Sequence, residues 1–237
     1  MEDFTTTFGN SAANALPVER AAFIRKTYLL VAAAILAFIG VEVFFFSTGI
    51  AGLIAGLVFK GGSIGWLAVL ALFMVISYLS NRWAVSDTSV AVQYMGLGVF
   101  VVAEAVIFVP LLMIAAYASG DPTVILKAGI VSLGLFAGLT ATVLLTRTDF
   151  SWLAPILAIG GFAALGFIVA SALFGFSLGN VFAFLMVAFA GSSILYQTSN
   201  VLHRFNTNQH VAAALTLFAS VALLFWYILR IFSSGRR

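Results

Sequence analysis

The sequence contains no cysteine. Disulfides, iron–sulfur ligation, thiolate zinc sites and thiol nucleophiles are therefore excluded. Charge is nearly as scarce, with 11 Lys+Arg and 8 Asp+Glu among 237 residues, or 8%. An ordinary soluble domain carries roughly 25%, and a water-soluble fold of this length could not cover its surface with so few. Basic surface is too thin for nucleic acid to be a partner, and the net charge of +3 reports loop charges instead. No phosphate-binding glycine loop and no metalloprotease motif occurs, so no cofactor is expected.

What is present is apolar. Hydrophobic residues make up 63%, phenylalanine alone fills 24 positions, and mean hydropathy is +1.16. This composition predicts an integral membrane protein of one helical domain, with the lipid bilayer as its first partner. Seven apolar runs of spanning length lie near 27–46, 63–80, 90–116, 124–146, 152–174, 178–202 and 211–232. None alternates with the period of two that a barrel strand needs. Helices are the remaining way to satisfy backbone groups in lipid. The expected fold is all-α, an integral membrane bundle of seven transmembrane helices.

Residues 1–26 read as a polar tail, disordered until about Pro17, and residues 27–237 as the transmembrane domain. Met1-Glu2-Asp3 lacks a basic n-region and the first apolar run is long, so that run is expected to stay as an anchor. Ala51–Phe59 is a shorter, glycine-broken apolar piece, either interfacial or an extension of the first hairpin. Asp149 is placed to cap the fifth span. Gly134 and Gly138 fit a close helix–helix contact.

Arg20, Arg25, Lys26, Arg82, Arg147 and Arg204 fall on one side of the alternating spans, and Lys60 and Lys127 on the other. Six against two predicts a cytoplasmic N-terminus. Arg230, Arg236 and Arg237 join the minority side if the last span crosses fully, and a re-entrant last segment is the alternative.

Residue types restrict the chemistry. A retinal Schiff base needs a lysine in the core, and Lys26, Lys60 and Lys127 all lie near span ends. An aspartyl protease needs two intramembrane aspartates, whereas Asp3, Asp87, Asp121 and Asp149 fall in loops or the tail. A Ser–His pair could start from Ser192 or Ser193, but His203 lies about 15 Å along the helix axis from Ser193. An enzyme is not expected.

Two carboxyls do sit inside spans, Glu42 late in the first and Glu104 in the middle of the third. A central charge costs about 2.5–3.5 kcal/mol on insertion scales, so such residues face the bundle interior or water. They are either candidate proton or cation ligands or ties between helices. Pro110 frees the carbonyl of Val106 beside Glu104. In the sixth span Ser192, Ser193, Tyr196, Gln197, Ser199, Asn200, His203 and Arg204 share one arc of about 160°. Thr216, Ser220 and Tyr227 share a face of the seventh. Gln197 and Ser220 come to similar depth and are expected to be able to face each other, as hydrogen-bonded glue or along a hydrated path.

Arg25-Lys26-Thr27-Tyr28, Leu145 through Ser151, Gly191 with Ile194 through Asn200, and Ala213 through Phe218 with Tyr227 through Arg230 together resemble the transmembrane Bax-inhibitor family. Tyr196 to His203 is most similar to its bacterial YccA-type branch. The resemblance implies seven helices with the seventh near the bundle centre, in a bacterial inner membrane. It also implies two functions. Some members are pH-sensitive calcium leak channels gated by paired acids on helices six and seven. YccA-type members modulate the membrane protease FtsH through a cytoplasmic N-terminal tail. The paired-acid positions match Gln197 and Ser220, neither of which ionises, so the resemblance implies a noncatalytic protease modulator ahead of a calcium channel that lacks this pH sensor.

Overall fold

The computed structural model describes residues 11–86, 89–118, 120–121 and 123–234. Among them the chain forms eight helices. They are α1 (Pro17–Thr48), α2 (Ile50–Lys60), α3 (Gly62–Ala84), α4 (Val90–Ala118), α5 (Val124–Thr146), α6 (Leu153–Phe174), α7 (Gly179–His203) and α8 (His210–Ser234). All but α2 are long and apolar enough to cross a membrane. The protein is therefore all-helical with seven candidate spans.

The N-terminal boundary differs from the expected one. Helix α1 begins at Pro17, ahead of the expected span start at Thr27. Proline fits the first helical position because its missing N–H has no intrahelical partner there, and Glu19 favours the positive end of the helix dipole. The segment before it is also part of the fold. Ala12 is fully buried, and its N–H donates to the Phe205 carbonyl at 2.9 Å. The polar tail over residues 1–10 lies outside the described residues, as do Asp87 and residues 235–237.

Gly49, at φ 82°, ends α1 and starts α2 in one residue. That left-handed conformation is nearly free only for glycine. The turn folds α2 back onto α1, α3 and α4, where Ala51, Ala55 and Val58 are buried while Leu53 and Leu57 are exposed. Ala51–Phe59 is thus a separate short helix.

Lipid association gains nothing from hiding apolar surface from apolar tails, so packing and hydrogen bonds must hold the helices together. The packing centres on rings. Phe38 of α1 meets Phe108 of α4 edge-on at 5.1 Å and Phe218 of α8 at 6.2 Å, and Phe100 meets Phe218 at 6.1 Å. Helix α8 packs against α1, α3, α4, α5 and α7 and buries most of its length. Helix α6 contacts mainly α7 and α3 and leaves Ile156, Ile159, Phe162 and Phe167 exposed, as a lipid-facing helix should.

The close helix approach is not at Gly134 and Gly138. Both are exposed, with open space where a Cβ would stand. It is at Gly96, whose Cβ would lie 2.7 Å from the Ser80 carbonyl oxygen of α3. A small-residue pair in a lipid-facing stripe and one in a contact look alike in sequence.

Candidate functional site

The polar residues gather where α1 begins, α5 ends, and α7 turns into α8. Four connections tie this end together. Ser11 and Asn206 form an antiparallel bridge beside the Ala12–Phe205 bond, and Arg20 reaches the Leu202 carbonyl at 3.4 Å. The Phe150 N–H donates to the Ser199 hydroxyl at 2.9 Å, and Tyr94 of α4 meets His210 of α8 ring to ring at 6.3 Å.

Asp149 works differently from the expected cap. Helix α6 has no side-chain cap at its start. The carboxylate instead accepts from the Ser151 N–H at 2.9 Å and from the Ser199 hydroxyl at 3.2 Å. Arg147, ahead of it, sits at φ 56°, a left-handed conformation that ends α5 and turns the chain toward α7. The Ser151 backbone bond, chiefly, holds the Asp149 carboxyl below the ordinary carboxylate range, helped by the Ser151 and Ser199 side chains and the nearby His203. The α5–α6 loop is thereby clasped to α7. His203 Nδ1 closes the same turn against the Ser199 carbonyl at 3.0 Å.

One helical level deeper, the Ser220 hydroxyl of α8 donates its single proton to the Thr216 carbonyl at 2.9 Å. It can then only accept from Ser193 of α7, 2.8 Å away. This corrects the expected facing of Gln197 and Ser220. In the antiparallel register fixed by Ser193 and Ser220, Gln197 comes level with Thr216. Its amide oxygen accepts from Asn200 of the same helix at 3.4 Å. Tyr196 is half-buried on the same helix. The seryl pair also keeps Ser193 engaged away from His203.

Three hydroxyls escaped the sequence reading because they are scattered over three spans. Tyr28 of α1 stands beside Thr140 of α5 and Thr198 of α7, and none of the three oxygens has a partner in hydrogen-bond geometry. The Asn200 Oδ1 is likewise buried without a partner. Of the polar stripe on α7, Ser199 and Asn200 are buried, as are the neighbouring Thr198, Ile194 and Val201, whereas Ser192, Ser193, Tyr196, Gln197 and His203 are half-buried and Arg204 is exposed.

The two intramembrane carboxyls stand elsewhere. Glu104 is buried on α4, one turn from both Phe100 and Phe108. Glu42 is buried on α1, one turn beyond Phe38, and neither of its carboxyl oxygens has a hydrogen-bond partner. Phe38 and Phe108 touch, so both carboxyls flank the same α1–α4 aromatic contact. Among the described residues no three His, Asp or Glu side chains gather closely enough to hold a metal ion.

The comparison with known families falls on this whole unit. The family described as inhibitor of apoptosis-promoting Bax1 matches residues 20–237. The chain belongs to that Bax-inhibitor family. An uncharacterised protein of Pseudomonas aeruginosa is 30% identical over 163 residues, 68% of each chain. The Golgi anti-apoptotic protein of vaccinia virus (strain Lister) is 29% identical over 117 residues, 47% of each chain. Within this Bax-inhibitor chain the match begins at Arg20, the residue that reaches Leu202 across the turn. Ser11 and Ala12 of the clamp lie ahead of the matched residues.

Proposed function

We propose that this Bax-inhibitor protein is a noncatalytic regulator of membrane-protein quality control, of the YccA type, acting on a protease of the FtsH class from a bacterial inner membrane. The observation that carries the reading is the clamp of Ser11 and Ala12 on the α7–α8 turn. A polar N-terminal handle is useful to a partner only if the bundle holds its root firmly. One backbone bridge and a fully buried Ala12 do so here, at the end that the lysine and arginine count assigns to the cytoplasm. The reading takes α8 as the bundle centre, and its burial against five other helices supports that.

The test removes the handle and keeps its root. Deleting Glu2 through Asn10 spares Ser11 and Ala12. It should abolish copurification with the protease and lengthen the protein's own lifetime in cells, with unchanged thermal stability in detergent. Undiminished copurification would sink the reading.

A second reading, a calcium-permeable leak, is favoured by one observation, the buried Glu42 carboxyl, neither of whose oxygens has a hydrogen-bond partner. A buried acid without a partner is expensive in lipid and tends to serve a proton or ion path. Calcium flux into liposomes carrying the purified protein, lowered by Glu42→Gln and Glu104→Gln, would establish it. Flux equal to that of empty liposomes would exclude it.

A further inference from the structure

An apolar groove of about 310 Å³ opens at the end of the bundle opposite the clamp. Phe59 and Gly62 of the α2–α3 turn, Trp66 of α3, Pro110 and Ile114 of α4, and Trp226 of α8 line it. Its walls are set by ring contacts. Trp226 stacks on Trp66 at 6.0 Å and meets Phe108 edge-on at 4.9 Å. Phe59 and Ile114 on the rim are exposed, so the groove faces the surroundings of the bundle rather than its interior.

Two cations border this carbon-lined groove. Lys60 lies between Phe59 and Gly62 in sequence and is exposed. Arg230 follows Trp226 by one turn of α8. Neither has an ion pair among the described residues, where the one salt bridge joins Lys127 to Asp121. Tryptophans beside unpaired cations at the end of a span mark the depth of lipid headgroups.

We propose that the groove is a binding site for an anionic glycerophospholipid, with one acyl chain lying against the stacked tryptophans and the phosphate held by Lys60 and Arg230. Lipid tails around the protein are as apolar as the groove, so the chain alone brings no selectivity. Selectivity comes from the headgroup, because a basic residue at the surface favours an anionic lipid by about five-fold. A second copy of this chain fits worse. A two-fold contact through this face would set Lys60 and Arg230 of one copy against the same cations of the other.

The test uses full-length protein in mild detergent, given equal phosphatidylglycerol and phosphatidylcholine, with bound lipid counted by native mass spectrometry. Phosphatidylglycerol should be retained over phosphatidylcholine. Lys60→Gln should cut that preference by about five-fold, while Lys60→Arg should keep it. Ile114→Trp, which fills the groove at an exposed rim position, should lower retention of both lipids. Circular dichroism confirms that each variant keeps its helices. Equal retention of the two lipids by the native chain would overturn the proposal. So would a preference untouched by Lys60→Gln, retention untouched by Ile114→Trp, or a lipid-free dimer.

Discussion

Ser193 of α7 and Ser220 of α8 share a 2.8 Å hydrogen bond in which Ser193 must donate, because Ser220 gives its own proton to Thr216. The pair fixes the α7–α8 register and contains no group that ionises near neutral pH. Its strength should be the same at pH 6 and pH 8. Ser220→Ala should cost about 0.6 kcal/mol, the average for such bonds in membrane bundles. Ser193→Asp combined with Ser220→Asp should make thermal stability fall as pH rises, since two adjacent carboxylates repel once both are ionised. Gln197→Asp with Ser220→Asp should do so less, because those positions stand a turn apart. Melting curves in detergent between pH 5 and 8 read all three, and a pH-sensitive native chain would show a switch elsewhere.

The clasp at Asp149 gives a pH dependence of known sign. Its carboxyl is held below the ordinary carboxylate range, first by the Ser151 N–H. The unfolded chain therefore binds its proton more readily than the folded one. The stabilisation is complete above the unfolded value of about 3.9 and is lost as pH falls through the lower folded value. Protection of the Phe150 and Ser151 amides against hydrogen exchange, taken relative to their intrinsic rates, should fall below about pH 4. Ser199→Ala should accelerate Phe150 at every pH, because its N–H loses the Ser199 hydroxyl.

A third test compares glycines. Gly96→Ala would set a Cβ 2.7 Å from the Ser80 carbonyl and 3.0 Å from the Ala84 nitrogen, both backbone atoms that cannot swing away. The α3–α4 contact must open, at a cost of about 1–3 kcal/mol. Gly134→Ala and Gly138→Ala meet nothing within 4 Å and should be neutral or stabilising by up to about 1 kcal/mol. Comparable losses at all three positions in thermal unfolding would contradict the packing described.

Orientation is tested by reporters. If all seven candidate spans cross and the N-terminus is cytoplasmic, a periplasm-dependent reporter is silent after Arg204 and active after Arg237. The reverse pattern would invert the bundle and move the clamp away from a cytoplasmic protease. Silence at both points would mean that α8 re-enters.

The membrane-spanning class of this protein is written along its chain. Hydropathy is a running sum along the chain, so spans at 124–146 and 152–174 are legible without any knowledge of neighbours, and six of seven span starts fall within one residue of the helices formed. The exception is α1, where charged residues Glu19, Arg20, Arg25 and Lys26 hid a helix that continues out of the apolar stretch. Which polar groups meet was decided only by tertiary structure. Ser220 pairs with Ser193 and not Gln197 because side-chain contact depends on the register of two helices, and a slip of one turn leaves each helix's own pattern unchanged. Gly96 and Gly134 are equally small, and only the neighbour across the gap separates a contact from a lipid-facing gap. The Tyr28, Thr140 and Thr198 hydroxyls are brought together from α1, α5 and α7 by packing that no local spacing encodes.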